Sequence, residues 1–409
     1  MIQSSRNVKM FSALCCLLYF ASYLTRINYG AIIAEIVSAK DILKSEAGIV
    51  STVSFFTYGV GQILSGVLSD RFNARRILLM GVFTTAVINI AMPFCRTITL
   101  MTLLWGINGF VQACIWPPMA KIMAQNLTFY DFKKLSINIT MSASVATMAV
   151  YVAAPVIIRV STWENVFFTS AGVTLVISVL WCAFTRGMKS NGERVSKDKT
   201  AKMPMRLWFT SGALFSCVVL VFVGILRNGI TTWLPSFMVE SFDIGNAAAI
   251  LTTAVLPCLA VLSTKLVGYI YMRFIHDEMV LATLLCVVML LSCAAAFLWQ
   301  ESIVFCVSAL AVITAAAYGA NMILTALLPP YYSKYGHIST VTGVLNSMPY
   351  VGATISSWGI AKISESEGWS FTLLLWGATA LAGVVFCAAN MRRWSIFRKN
   401  TIKGDTDEL

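Results

Sequence analysis

Tyr19-Phe-Ala-Ser-Tyr-Leu-Thr-Arg26-Ile-Asn-Tyr-Gly30 sets an arginine inside an apolar run that extends from Met10 to Ile33. As a helix, such a run is long enough to cross a bilayer core of roughly 30 Å. A cation there costs about 2.5–3.5 kcal/mol even on the mildest insertion scale, so it faces a cavity or a partner. Helical spacing brings Tyr19, Tyr23 and Tyr29 to the side of Arg26. The stretch reads as an anion site built around a membrane-embedded arginine. The competing reading is an arginine that snorkels to the nearer interface.

The rest of the chain repeats this apolar pattern. Of its 409 residues 58% are hydrophobic and 12% charged, with a mean hydropathy of +0.78, whereas soluble domains carry about 25% charged residues. Apolar runs of about twenty residues recur throughout, without the alternation of a transmembrane barrel. The chain is therefore an all-α polytopic membrane protein, since a spanning helix satisfies its own backbone. The eleven cysteines, among them Cys15, Cys16, Cys114, Cys217, Cys258 and Cys293, fall almost wholly in apolar runs without metal-ligand spacing. They read as small buried hydrophobes. With two histidines, His276 and His337, no metal site is expected. There is no nucleotide loop, paired-carboxylate site or nucleophile with a base, which argues against an enzyme and against a cofactor. Arg6 and Lys9 precede a run too long for a signal peptide, so an uncleaved first helix is expected.

Twelve helices are placed at 10–34, 47–69, 76–94, 98–120, 136–158, 164–185, 208–238, 247–272, 279–299, 302–328, 339–362 and 369–391. They form two six-helix halves, 1–185 and 207–392, joined by a basic linker at 186–206 and followed by a tail at 393–409. With the N-terminus inside, 22 of the 30 Lys and Arg residues are cytoplasmic. The positive-inside rule then makes this a multi-pass plasma (inner) membrane protein with both termini cytoplasmic. The net charge of +12 is a topology signal and does not argue for nucleic acid as a partner.

The halves repeat. Gly66-Val-Leu-Ser-Asp70-Arg71 corresponds to Gly268-Tyr-Ile-Tyr-Met272-Arg273, and Arg26 corresponds to Arg227 in Gly224-Ile-Leu-Arg227-Asn-Gly229. Trp116-Pro117-Pro118 is echoed by Leu328-Pro329-Pro330. Duplicated halves mark a transporter that rocks about a midplane site. Two arginines at equivalent depth argue against accidental snorkelling.

These residues resemble the major facilitator superfamily, and within it the organophosphate:phosphate antiporters of the glycerol-3-phosphate and hexose-phosphate type. Gly66-x-x-x-Asp70-Arg71-x-Asn73-x-Arg75-Arg76 is similar to the superfamily's loop 2–3 motif, whose Asp and Arg residues act as a conformational latch. Met272 stands where the second copy has an acid, so the latch is expected on one side only. Tyr19, Tyr23 and Arg26, Gln112-Ala-Cys-Ile-Trp116-Pro117-Pro118, Arg227 and Tyr350-Val-Gly352 match the antiporter pattern. The resemblance implies that Arg26 and Arg227 flank a substrate phosphate, helped by the tyrosines, with inorganic phosphate as counter-substrate. Three ionisable groups of that pattern are missing: Gln62 replaces a Lys, Ala143 a His, and Pro257 an acid.

Arginine suits the task because its planar guanidinium donates paired hydrogen bonds to oxyanions and stays charged. Gln62, Asn108, Gln112, Ser142, Ser144, Asn321, Asn346 and Tyr350 are further candidates to line the substrate path. Asn108 with Gln112, and Asn346 with Tyr350, each share a helix face. Lys265 lies near a helix end and reads as snorkelling. Each of the eighteen acids is assigned to a loop or helix end, Glu278 among them, and none reads as a buried proton relay; Glu35 comes nearest. The expected function is exchange of a small organic anion by a transporter that works as a monomer in the lipid bilayer. The rival readings are an H⁺- or Na⁺-coupled symporter of a sugar acid or other carboxylate, and a membrane sensor of a sugar phosphate.

Overall fold

The computed structural model describes residues 5–42, 44–185, 204–243 and 255–406. Most of the linker expected at 186–206, and the start of the helix expected at 247–272, lie outside the described residues. Within them every regular element is helical: α1 (Ser5–Ala31), α2 (Ile33–Lys40), α3 (Lys44–Arg71), α4 (Ala74–Ala91), α5 (Ile98–Gln112), α6 (Trp116–Asn126), α7 (Phe129–Val160), α8 (Glu164–Thr185), α9 (Met205–Thr210), α10 (Ala213–Phe242), α11 (Val255–Arg273), α12 (Glu278–Leu298), α13 (Ile303–Met322) and α14 (Ile338–Thr406). Gly368, at φ 79°, bends α14 into limbs 338–367 and 369–406. Ten helical stretches among the described residues are long and apolar enough to cross a membrane. Helix α11 and the first limb of α14 occupy the places of the other two expected spans.

Prolines set two of the breaks. The helix expected at 98–120 is interrupted between α5 and α6, because Pro117 and Pro118 lack the N–H that would bond four residues back. The Ala113 carbonyl, deprived of Pro117, takes a side-chain N–H of Gln62 at 3.5 Å, the outer limit of a hydrogen bond. Pro329 and Pro330 act likewise after α13. There the chain loosens into a π turn at Ile323–Leu327 and tightens into a 3₁₀ segment at Pro329–Tyr335.

Packing divides the chain into two compact units. The first comprises Met1–Thr200 with Tyr335–Ser347, and the second Ala201–Lys334 with Met348–Leu409. The start of α14 thus groups with the first unit, a departure from a simple division at the linker. Two contacts hold it there: the Ser339 hydroxyl donates to the Pro117 carbonyl at 3.1 Å, and the Asp70 carboxylate accepts from the first turn of α14. One apolar cluster of the first unit joins Tyr29, Ile32, Met92, Trp105, Trp163 and Phe167. Seven of the eleven cysteines are buried and all are free thiols, with Cys258 exposed.

The second unit holds a carboxylate that its position at a helix start conceals. Asp277 caps α12 by accepting from the Met279 and Val280 N–H groups. The next residue, Glu278, is fully buried, contrary to the expectation that no acid is buried. It accepts from the hydroxyl of Tyr271, that of Tyr331 at 2.8 Å and the indole N–H of Trp394 at 3.0 Å. Tyr332 donates to the Ser211 hydroxyl at 2.8 Å, and Asn390 to the Gly212 carbonyl at 3.0 Å. One end of the unit is thereby tied across α10, α11, α12, the 3₁₀ segment and the last limb of α14. Glu278→Ala removes an acceptor shared by three buried donors and is expected to cost about 3 kcal/mol, near 1 kcal/mol for each bond. Arg398→Gln removes the 3.3 Å pair with Asp277 and a 2.7 Å bond to the His276 carbonyl, both partly exposed, and should cost less, about 1 kcal/mol. Thermal unfolding of both variants checks the contrast; equal shifts would mean that Glu278 is not the tie.

Candidate anion sites and conformational latch

Arg26 lies on the same stripe of α1 as Tyr19 and Tyr23, at spacings of seven and three. Its guanidinium carbon sits 3.7 Å from the ring centre of Tyr58 on α3 and 5.4 Å from that of Tyr23. Tyr19 continues the group, with its ring 5.2 Å from Tyr23 and 5.5 Å from Trp116. A half-buried cation over an aromatic face gains about 1 kcal/mol, which offsets part of the insertion cost. In the second unit Arg227 on α10 lies 5.3 Å from the Tyr318 ring on α13. Each unit therefore sets one arginine against one tyrosine of another helix. Sequence reading missed both tyrosines, although each lies about one helical turn from a flagged amide: Tyr58 before Gln62, and Tyr318 before Asn321.

Other candidates fall elsewhere. Tyr29 does not join Arg26: it is fully buried, donates to the Ala47 carbonyl at 3.0 Å and packs on Trp105. Tyr29 lies roughly 60° round α1 from Arg26 on the side away from Tyr23, and that face turns into the core. Gln112 and Asn108 do share a face, but at 3% and 1% exposure they lie in the seam of α5 with α1 and α4. Gln62 is fully buried against Ala113. Its Oε1 has no hydrogen-bond partner among the described atoms. Asn346 and Tyr350 are half-buried on α14, Ser142 bonds its own helix at Asn138, and Lys265 is exposed on α11. The side chain of Pro257 lies outside the described residues. A cavity of about 760 Å³ between α3 and α5, lined by Ile49, Val53, Leu103 and Phe110 among others, is apolar and includes no arginine.

The loop 2–3 motif is assembled within the first unit. The Asp70 carboxylate accepts from the Ser339 N–H at 3.1 Å and the Thr340 N–H at 2.6 Å, at the open N-terminus of α14. An acid there satisfies orphan donors and meets the positive end of the helix dipole. Lys121 donates to the Ser69 and Asp70 carbonyls at 2.5 and 3.1 Å, closing the C-terminus of α3. Arg75 donates to the Cys182 carbonyl of α8 at 3.1 Å, while Arg71 is exposed. Gly66 has to be a glycine: a Cβ there would lie 2.5 Å from the Ser339 carbonyl oxygen.

The sequence profile described as Major Facilitator Superfamily matches residues 15–357. The chain belongs to the major facilitator superfamily. It is a multi-pass membrane transporter of that superfamily and not an enzyme. A "Probable hexose phosphate transport protein" of Chlamydia trachomatis serovar D is 21% identical over 90% of this chain and 88% of its own length. The "Glycerol-3-phosphate transporter" of Bacillus subtilis strain 168 is 27% identical over 54% of this chain and 55% of its own. Among solved structures, the transporter FucP in the outward conformation superposes with a TM-score of 0.73, at 11% identity, over 93% of this chain and 99% of that one. For this superfamily member, Asp70→Asn removes the charge and one of the two cap bonds, since an amide nitrogen cannot accept from a backbone N–H, a loss of about 1 kcal/mol or more, at least about fivefold in a conformational equilibrium. Uptake is expected to slow by about that factor, with whatever thermal shift the native chain shows in glycerol 3-phosphate retained. Disappearance of the thermal shift would place Asp70 in substrate binding instead.

Proposed function

We propose that this transporter exchanges small organic anions, phosphate esters first, by alternating access in the plasma membrane, with both termini cytoplasmic. The observation that carries the reading is the pair Arg26 and Arg227, repeat-equivalent residues that each set a guanidinium against a tyrosine ring. Oxyanions bind along the N–H edge of a guanidinium, which offers them paired donors. Arg227 has no carboxylate partner among the described residues. Similarity to proteins described as hexose phosphate and glycerol-3-phosphate transporters supports a phosphate ester as substrate, and inorganic phosphate is the counter-substrate. Tyr19, Tyr23 and Tyr58 serve the Arg26 side, and Tyr318 with Tyr350 the Arg227 side.

Buried Glu278 does not turn the reading toward proton coupling. It is held by side chains at the end of α12, on a helix that carries neither arginine. Arg26→Lys and Arg227→Lys each lose the paired donor geometry and are expected to cut uptake about 10- to 100-fold, from charged hydrogen bonds worth about 1.5–3 kcal/mol. Uptake of glycerol 3-phosphate and of a hexose 6-phosphate into vesicles, with the inserted protein quantified, makes the measurement. Near-normal uptake by both variants removes the arginines from the site. External substrate should also accelerate efflux from preloaded vesicles. Efflux that follows only an imposed pH gradient would favour symport, and binding without uptake would favour a sensor.

A further inference from the structure

The stripe of α1 next to Arg26 is fastened by an unusual number of side-chain amides. The Thr25 carbonyl accepts from the Asn89 amide of α4 and the Asn108 amide of α5, both at 3.1 Å. One turn earlier, the Ser22 carbonyl accepts from the Gln112 amide at 3.0 Å. Gln112 also reaches the Thr25 and Thr85 hydroxyls at 2.9 and 2.8 Å. The hydroxyl of Thr85 donates to the Asn108 oxygen. On the far side, Asn28 donates to the Asn89 oxygen at 2.7 Å, and its own oxygen accepts the Tyr29 backbone N–H at 3.0 Å. All six side chains are at most 3% exposed. Both Asn89 amide protons have acceptors, at the Thr25 and Thr85 carbonyls, the two protons of Gln112 are shared among three acceptors, and every amide oxygen except that of Gln112 has a donor shown.

The anchored stripe, Ser22, Thr25 and Tyr29, lies about a third of a turn from the stripe of Tyr19, Tyr23 and Arg26, at 100° per residue. A helix rotates as a body, so whatever fixes the first stripe fixes the second. The tip of an arginine stands about 9 Å from the helix axis, so a 10° rotation moves it about 1.5 Å. Binding constellations tolerate about 0.5 Å. Below the anchor the helix yields: Ile32 leaves helical geometry at φ −116° and ψ 15°, and α2 starts afresh. The amides therefore hold the last turns of α1 before a break.

We propose that Asn89, Asn108 and Gln112 are positioning residues that aim Arg26 by locking the rotation of α1. This rests on the reading of Arg26 as an oxyanion ligand. The three amides touch helix backbone and hydroxyls and leave the anion to the arginine.

The test uses the full chain in detergent with Asn89→Ala, Asn108→Ala and Gln112→Ala. A control, Leu220→Ala, removes a fully buried side chain of the second unit. Inorganic phosphate, glycerol 3-phosphate and glucose 6-phosphate are the probes, measured by calorimetry. Hydrogen exchange is followed on a peptide covering 20–31. Each amide variant is expected to bind the probes about tenfold more weakly than a control of equal melting temperature, and to exchange faster in 20–31 than elsewhere. If the amides only stabilise the fold, variants matched in melting temperature lose affinity equally and exchange rises evenly, which overturns the inference. Arg26→Gln separates the two layers. If it binds as the native chain does, or if the native chain binds none of the probes, the anion reading falls and the positioning role falls with it. If it loses binding while the amide variants match the control, only the positioning role falls.

Discussion

A carbonyl that loses its helical partner inside a membrane has no water to turn to and must be satisfied by protein. The first unit shows that constraint at work in one place and carbonyl-to-amide ties between helices in another. Pro117 deprives the Ala113 carbonyl, and Gln62 answers it across α3. The Thr25 carbonyl draws amides from two neighbouring helices at once. In the second unit the same logic runs through a side chain, Glu278, whose oxygens gather two tyrosines and a tryptophan. Bonds of this kind each contribute modestly in a membrane, about 0.6 kcal/mol on average. Their directionality fixes which faces of the helices meet.

The repeat preserves these positions while changing their chemistry. Trp116-Pro117-Pro118 and Leu328-Pro329-Pro330 break helices at corresponding places, yet the first break meets an amide and the second presents Tyr331 and Tyr332 to Glu278 and Ser211. At the following loops the sign of charge reverses. Arg75 grips the carbonyl end of α8, and its counterpart 202 residues on, Asp277, pairs with Arg398 of the last limb of α14. Asp70 caps a helix N-terminus, whereas its counterpart Met272 has no charge with which to do so. The charged cap is therefore present in one copy, and an internal tie stands near the corresponding place in the other.

In the first unit, one helix presents two stripes of different chemistry. The stripe of Arg26 carries charge and aromatic rings, and the adjacent one carries hydroxyls and carbonyls met by amides. The ring faces set against the guanidinium offset part of the cost of holding a cation in the membrane.

The helical membrane class, the approximate spans, the repeat and the two arginines were legible in the residues alone. Hydropathy over about twenty residues is a local property, and a cation inside such a run is conspicuous wherever the helix packs. The latch acid was legible too, but its partners Ser339 and Thr340 were not, since they contribute backbone N–H groups that every sequence possesses. Tyr58 and Tyr318 were hidden because an aromatic in an apolar helix looks like core until a cation is set against it. Glu278 was misread because position along the chain does not report depth: an acid at a helix start is normally solvated, and only the arrival of Tyr271, Tyr331 and Trp394 encloses this one. Gln112 shows the same limit from the other side. Its type and face were evident, but whether a buried amide meets a substrate or a neighbouring carbonyl depends on which helix stands opposite, and that is decided by packing across distant parts of the chain.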